Sequence, residues 1–156
     1  MRANKRAIRL AAILLATGAM IASAAQSPTE IAGAGAAAYP NGTMFNTVAV
    51  QAMQFGLGAT ADVDGLVAGD LHATLLGTTA TGQPRRIAYD ATVTGISPGE
   101  GSATLVGIGT LNMGDGTPPL VSVPVTMTVT RNTVQMFLGT TSLPQTTLTQ
   151  GSVAIK

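Results

Sequence analysis

The sequence predicts an all-β fold, either an antiparallel β-sandwich or a small barrel of about seven to eight strands. Three observations predict it. Threonine and valine, which favour strands, are abundant after position 25. Glycine and proline recur at short intervals and divide the chain into pieces of strand length. No piece of the chain after position 25 carries the apolar stripe of an amphipathic helix.

The N-terminal segment 1–25 has the pattern of a secretory signal peptide. Four basic residues without an acid come first, an apolar run over 10–22 follows, and Ala22-Ser23-Ala24 forms a small-x-small cleavage signal. The run is shorter than the roughly 20 apolar residues that a membrane-spanning helix needs. We therefore expect cleavage after Ala24 or Ala25, export to the periplasm or the extracellular space, and no membrane span afterwards. An uncleaved N-terminal anchor helix is the alternative.

Removal of this segment changes the charge of the chain. The whole sequence has a formal net charge of +1. After cleavage, four basic residues remain against seven acids, a net charge of −3, and these four are Arg85, Arg86, Arg131 and Lys156. The basic pI thus belongs to the leader, and no clustered basic face for nucleic acid remains. The absence of cysteine excludes disulfides, a lipid-anchored cysteine and thiolate metal sites.

Residues 26–43 are rich in alanine and glycine, contain two prolines, and show no sustained period. We interpret them as a flexible linker or arm. The remaining 44–156 have the length of a single domain.

The strands follow from runs of alternating or β-branched residues between turn signals. The strongest turn signal is Asp64-Gly65, which is typical of a hairpin. The predicted strand regions, in order, cover 44–58, 66–77, 85–96, 102–113, 120–130, 133–139 and 148–156.

Three strands give more detail. In 85–96, one face carries Ile87, Tyr89, Ala91 and Val93. In 120–130, every second residue from Val121 to Val129 is apolar, while Pro124 lacks a ladder donor and indicates a sheet edge or a bulge. In 102–113, Gly107 and Gly109 indicate a bend or a close approach of two backbones.

The only histidine, His72, lies on the mixed face of its strand with Asp70 and Thr74, opposite the apolar set that includes Leu71 and Leu75. The sequence has no serine in a recognisable nucleophile turn. One histidine also provides too few ligands for a typical zinc site. We interpret this face as solvated, with Asp70, His72 and Thr74 as candidates for a ligand contact. A hydrolase that uses Asp70, His72 and Asp90 remains the catalytic alternative.

The acids near the first hairpin are candidates for calcium, which takes oxygen ligands. They are Asp62, Asp64 and Asp70. The glutamate that ends an EF-hand loop is missing, and a type I′ hairpin at Asp64-Gly65 explains the sequence without an ion. We therefore expect no bound metal and no cofactor.

Two stretches carry a family resemblance: "MQFGLGATADVDGLVAGDLHATL" over 53–75 and "LTQGSVAIK" over 148–156. Together they resemble small bacterial secreted β modules of unknown function that end in a Gly-Gly-x-Ile-x-Ile-His type strand. Gly151, Val153 and Ile155 match that ending, whereas Gln150 and Lys156 replace its first glycine and its histidine. The resemblance implies an exported β-rich module and supplies no catalytic residues.

These observations predict a non-catalytic secreted β-domain that acts as an extracellular or envelope-associated interaction module. Its partner would be a protein or an envelope component, and not a nucleic acid. The alternative is a carrier of a small apolar ligand, held between sheets or inside a barrel. Gly107, Gly109 and the methionines could shape such a cavity, because methionine adapts to irregular apolar surfaces.

Overall fold

A computed structural model describes residues 27–156 and shows that the all-β prediction is confirmed. Ten strands form one antiparallel sheet that closes on itself. The predicted signal peptide lies outside the described residues. In the part of the chain that the structure describes, no helix is long and apolar enough to cross a membrane.

The strands are numbered in chain order. They are β1 (Thr29–Ala38), β2 (Met44–Phe45), β3 (Val48–Ala61), β4 (Val67–Thr79), β5 (Pro84–Gly99), β6 (Ser102–Asn112), β7 (Leu120–Thr130), β8 (Thr133–Leu138), β9 (Thr141–Ser142) and β10 (Thr146–Ile155).

Eight of these strands make the ring, in the order β1, β3, β4, β5, β6, β7, β8 and β10, with β10 pairing back to β1. The two shortest strands lie beside it, β2 on β3 and β9 on β8. From β3 onwards each long strand pairs with the next along the chain, as in an up-and-down meander. Of the two predicted architectures, the closed single sheet is the small barrel.

The structure differs from the predicted linker over 26–43. Thr29–Ala38 forms β1, which closes the barrel by pairing with both β3 and β10. Its small residues have a packing reason, since a Cβ on Gly33 would lie 2.7 Å from the carbonyl oxygen of Ser152. A Cβ on Gly35 would lie 2.8 Å from that of Gln150. The folded domain therefore begins at Thr29 and not at Met44.

The barrel interior is filled by apolar side chains, because every strand turns alternate residues inward. The predicted inner set of β5 is buried, and so are Val125, Met127 and Val129 of β7. A bulge between Val50 and Ala52 shifts the alternation of β3, which explains the imperfect pattern of that strand in the sequence. The largest fully buried side chains are Tyr89, Phe45, Ile31, Met53, Leu71, Leu75, Ile87, Leu105, Met127, Met136, Leu138 and Leu143.

The predicted hairpin at Asp64-Gly65 is present, with a different turn from the expected type I′. The N–H of Gly65 donates to the carbonyl oxygen of Asp62 at 3.1 Å, and only Gly65 has a positive φ, of 80°. This is a type I turn followed by a left-handed glycine, the usual three-residue hairpin loop. The β4–β5 loop repeats it, with Gly82 at φ 77°.

Pro124 lies near a bulge, and a bulge was one of the two environments that the sequence predicted for it. It pairs with Ile108, and the register between β6 and β7 shifts between Gly109 and Leu111. Ser122 absorbs the distortion with a φ of 58°. The carbonyl oxygen of Pro124 accepts from the N–H of Gly139 at 2.9 Å, so the missing N–H of the proline faces β8, one residue beyond the last β7–β8 ladder pair.

Candidate functional site

The outer wall of the barrel around His72 is the site that the sequence singled out. Alternation on β4 turns Leu71, Ala73 and Leu75 inward, so His72 faces outward with Asp70 and Thr74. The three candidate ligand contacts therefore share one face of one strand. In the register between strands, His72 has Gly56 of β3 on one side and Asp90 of β5 on the other.

His72 and Asp90 form a close pair, with 2.6 Å between the imidazole Nδ1 and the carboxylate Oδ1. Against an ionised carboxylate, which only accepts hydrogen bonds, His72 is assigned the tautomer in which Nδ1–H donates a hydrogen bond to Oδ1 of Asp90. Nε2 is then the ring nitrogen left to meet solvent or a ligand. Both side chains are about two-thirds exposed, at 68% and 66%. At that exposure the pair contributes little to stability, typically about 0.2–1 kcal/mol.

A shallow depression of about 170 Å³ adjoins the histidine, lined by Gln54–Gly56 and His72–Thr74. It exists because Gly56 has no side chain and a Cβ there would meet open space. A second depression of about 330 Å³ continues across β3 to Ala34–Ala36 and to the Gln150–Gly151 segment of β10. Together they form a shallow trough over small residues, with amide and imidazole groups along its sides.

The His72–Asp90 pair resembles two parts of a nucleophilic triad, and no hydroxyl within residues 27–156 is hydrogen-bonded to the imidazole. The hydroxyl in the same register row is Thr110, which lies beside Asp90 and not beside the imidazole. Within residues 27–156, no group of three or more histidine, cysteine, aspartate or glutamate side chains could hold a metal ion. The pair is therefore equipped to donate or accept one hydrogen bond, as a ligand contact.

The calcium candidates are divided between a loop and the outer wall. Oδ1 of Asp62 accepts the N–H groups of Asp64 and Leu66, at 2.9 and 2.8 Å, and so closes the β3–β4 hairpin. Asp70 lies further along β4, opposite Gly58. The hairpin thus gives Asp62 a structural use that needs no ion.

A patch centred on β7, three strands round the ring from His72, was not singled out by the sequence. On β6, β7 and β8, four apolar residues point outward next to one another, and we call them the apolar wall: Val106, Ile108, Pro124 and Phe137. The exposed fractions of Val106, Ile108 and Phe137 are 42%, 52% and 42%. The available signal was that Val106 and Ile108 interrupt the otherwise polar parity of β6, whereas a fully solvated face of a strand is polar throughout.

Charged side chains are absent from the strands of the apolar wall. The segments of β6, β7, β8 and β10 contain none. Arg86, Asp70 and Asp90 lie on β4 and β5, and the other charged residues lie at or near the two ends of the barrel. Away from its two ends, the barrel wall therefore carries charge only on β4 and β5.

The end of the barrel where β1 begins carries a groove of about 520 Å³. Its lining is largely apolar and includes Leu66, which is 72% exposed. Glu30 and Lys156 stand at its side with 3.8 Å between Oε2 and Nζ. We call this depression the end groove, and it is lined by Pro28, Thr29, Glu30, Thr60, Ala61, Asp62, Leu66, Val67, Ala68 and Lys156.

The shifted pKa values belong to groups with structural roles. Burial raises the pKa of Tyr89 to about 12, and its hydroxyl donates to the carbonyl oxygen of Val123 at 2.7 Å. Burial also raises the pKa of Tyr39. The Thr117 hydroxyl and N–H, which donate to Asp115 at 2.6 and 3.0 Å, lower the pKa of that carboxyl.

Comparisons with protein families, with curated proteins and with solved structures found no match to this chain.

Proposed function

We propose that the chain is an exported, non-catalytic interaction module that binds its partner through the apolar wall. The observation that carries this proposal is the cluster of exposed apolar side chains on three adjacent strands without a charge. Single exposed apolar residues are ordinary, but a contiguous group of them is typical of an interaction site.

The register places these side chains in neighbouring rows. Val106 pairs with Thr126, which pairs in turn with Phe137, so two apolar residues flank a threonine in one row. Ile108 and Pro124 are direct partners in the next row. Directly opposed residues have Cβ atoms about 4.5–5.5 Å apart, so the four side chains form one surface.

The chemistry of the wall matches the centre of a protein interface. Such centres are depleted in charged residues and enriched in aromatic ones, while the rim is polar. Thr126 lies among the apolar residues, and the neighbouring outward positions include Thr92 and Thr110. The partner that this surface fits is a protein with an uncharged apolar patch of its own.

The proposal of export rests on the basic, apolar and small-residue pattern of the N-terminal segment 1–25. Intact mass spectrometry of the protein from its natural host is the direct test. A chain that starts at Ala25 or Gln26 supports export, and a chain that retains all 156 residues contradicts it.

Site-specific photo-cross-linking tests the binding surface. A photoreactive residue at Ile108 should form an adduct with the partner in the producing cell. Ala32 is the matched control, since it is exposed and lies on β1, four strands away round the ring and thus on the opposite side. Adducts at Ile108 that are absent at Ala32, and that disappear in a Phe137→Thr background, support the proposal.

Equal adducts at both positions, or none at Ile108, contradict it. A cross-linked product with the mass of two copies of this chain identifies the partner as the chain itself.

The end groove favours a second candidate function, carriage of a small apolar ligand. Its volume of about 520 Å³ lies within the range of ligand sites, and its lining is mostly apolar with one ion pair. Native mass spectrometry tests this function on the exported protein. Extra mass that is lost in a Leu66→Asp variant supports carriage, and a bare single mass in the wild-type protein opposes it.

A further inference from the structure

Strand β10 is paired on one side along almost its whole length and on the other side only at its start. Its pairing with β1 runs from Leu148 to Ile155. Its ladder with β8 consists of Thr146 and Thr147 alone. β8 begins at Thr133, opposite Thr147, so no strand of the described chain forms a ladder with the second half of β10 on this side.

The hydrogen-bond phase shows which backbone groups face this open edge. The N–H of Glu30 donates to the oxygen of Lys156 at 3.0 Å, and the N–H of Lys156 donates back at 2.9 Å. Residues alternate along an antiparallel ladder, so Ala154 and Ser152 also bond to β1. Ile155, Val153 and Gly151 therefore direct their N–H and C=O groups away from β1, toward the open edge.

One contact on that side confirms the phase. The N–H of Val153 donates to the backbone oxygen of Arg131 at 3.4 Å, a long bond from the β7–β8 turn. It leaves the N–H groups of Gly151 and Ile155 without a ladder partner in residues 27–156.

A notch of about 440 Å³ lies against this edge. Its charged side chains are Arg131 and Lys156, and none of its lining residues is acidic. Glu30, whose Oε2 lies 3.8 Å from Nζ of Lys156, is on the β1 side of that lysine. The complete lining is Gly101, Arg131, Val153, Ala154, Ile155 and Lys156.

We propose that the second half of β10 is a strand-addition site, which takes an extended peptide segment carrying a carboxylate. The peptide backbone pairs with Gly151, Val153 and Ile155 and fills the notch, while the carboxylate lies between Arg131 and Lys156. Open strand edges recruit peptides in this way, with main-chain bonds giving affinity and side chains giving selectivity. The site is separate from the apolar wall and stands whether or not that surface binds a partner.

The sign of the charge selects the occupant. A peptide with a lysine at the same position would place a third cation in the notch, whereas an aspartate or a glutamate meets two cations. Charges at such a rim act mainly on selectivity and association rate. The main-chain hydrogen bonds supply most of the binding affinity, so the interaction tolerates different side chains elsewhere in the peptide.

The test uses a synthetic peptide, acetyl-Thr-Val-Thr-Asp-Thr-Val-Thr-amide with a fluorescent label, and the folded protein. Binding is followed by fluorescence anisotropy and by amide hydrogen exchange. We expect the amides of Gly151 and Ile155 to become protected on binding. The amides of Ser152 and Ala154, which already bond to β1, should change little. This alternation along the strand is a signature that a nonspecific contact does not produce.

Two charge reversals separate the notch from general electrostatics. Arg131→Glu should weaken binding of the aspartate peptide by about fivefold, the range of one exposed ion pair, and strengthen binding of the lysine analogue. Arg86→Glu is the matched control, because Arg86 is also an exposed arginine but lies on β5. It should leave both affinities unchanged. Since both side chains are exposed, neither change should prevent folding.

Three outcomes overturn the proposal. The first is binding without new protection at Gly151 and Ile155, and the second is equal effects of the two reversals. The third is a concentration-dependent dimer in which these amides are protected without any peptide, since the edge would then belong to a second copy of the chain. A failure of cross-linking at Ile108 has no bearing on these results, which keeps the two proposals independent.

Discussion

Gly109 faces the barrel interior, where a methyl group would collide with the carbonyl oxygen of Asp90 and the backbone of Ala91. Gly56 faces outward, where a methyl group would meet nothing within 4 Å. We expect Gly109→Ala to lower the free energy of unfolding by about 1–3 kcal/mol, the cost of overpacking. Gly56→Ala should be neutral or stabilising by up to about 1 kcal/mol, because alanine restricts the unfolded chain.

Urea unfolding followed by circular dichroism measures both variants. Equal effects of the two substitutions would show that the strands at Gly109 can separate without cost. The sequence alone indicated a bend or a close backbone approach at Gly107 and Gly109, and the structure shows the close approach, with the β5 backbone as the neighbour.

Tyr89 links stability to alkaline pH. Burial raises its pKa from the ordinary value of 10.0 to about 12. The pKa of Tyr89 is higher in the folded protein than in the unfolded chain. The part of the folding stability that depends on a neutral Tyr89 hydroxyl is therefore complete below pH 10 and is lost as the pH rises through 12. We expect the urea midpoint to fall over that interval, and to fall less steeply in Tyr89→Phe, which has no hydroxyl to ionise. Parallel pH curves for the two proteins would exclude Tyr89 as the cause.

Strand β1 could not be predicted from the pattern of its own residues. Alternation of β-branched and polar residues identified the long strands of the meander, because each carries a visible apolar face. In β1 the inward positions are Thr29, Ile31, Ala37 and two glycines, and the outward ones are mainly alanine. The inward glycines are required by the approach of β10, a strand from the opposite end of the chain, which no local pattern reveals.

The role of β1 can be tested with a single side chain. Ile31 is fully buried, so Ile31→Ala should cost about 2–5 kcal/mol of unfolding free energy, as for other truncations of buried aliphatic residues. Ala32 is its exposed neighbour, and Ala32→Ser should change the stability by less than about 0.5 kcal/mol. If residues 26–43 were a flexible arm, both substitutions would be neutral in the same urea experiment.

The candidate site was likewise only partly predictable from the sequence, because one strand's pattern shows which side chains face outward but not which residues lie beside them. Parity within β4 placed His72, Asp70 and Thr74 on the outer face from the sequence. The pairing of His72 with Asp90 depends on the register between β4 and β5, and a shift of one residue would turn one strand's side chains to the other face. That register is fixed by the turn at Thr79–Gln83, whose bulged glycine at position 82 shows its type only in the structure.

The ring as a whole is unevenly closed. Most neighbouring long strands pair over much of their length, whereas β8 and β10 share two ladder pairs. The starts of the two strands cause this, since β8 begins at Thr133, opposite Thr147, and β10 begins at Thr146, opposite Val134. Such a seam is the part of a closed sheet where local opening costs least, because few backbone hydrogen bonds must break.

A disulfide across this seam should stabilise the whole barrel. Leu148 donates its N–H to the oxygen of Asn132 at 2.8 Å, so the adjacent pair Thr133 and Thr147 is not hydrogen-bonded and has its Cα atoms about 4.5 Å apart. That separation suits a disulfide, and the chain has no other cysteine to compete. In Thr133→Cys with Thr147→Cys, we expect the oxidised form to be about 3 kcal/mol more stable than the reduced form, from closure of a short loop.

The reduced protein is the matched control, because it has the same side chains and lacks only the bond between them. Urea unfolding of the two forms gives the difference in stability, and hydrogen exchange shows where it acts. Slower exchange near Thr146 and Thr147 in the oxidised form identifies the β8–β10 seam as the place where the native barrel opens. Identical exchange there in both forms, despite a formed disulfide, would place the opening elsewhere in the ring. The seam would then be as firmly closed as the rest of the sheet.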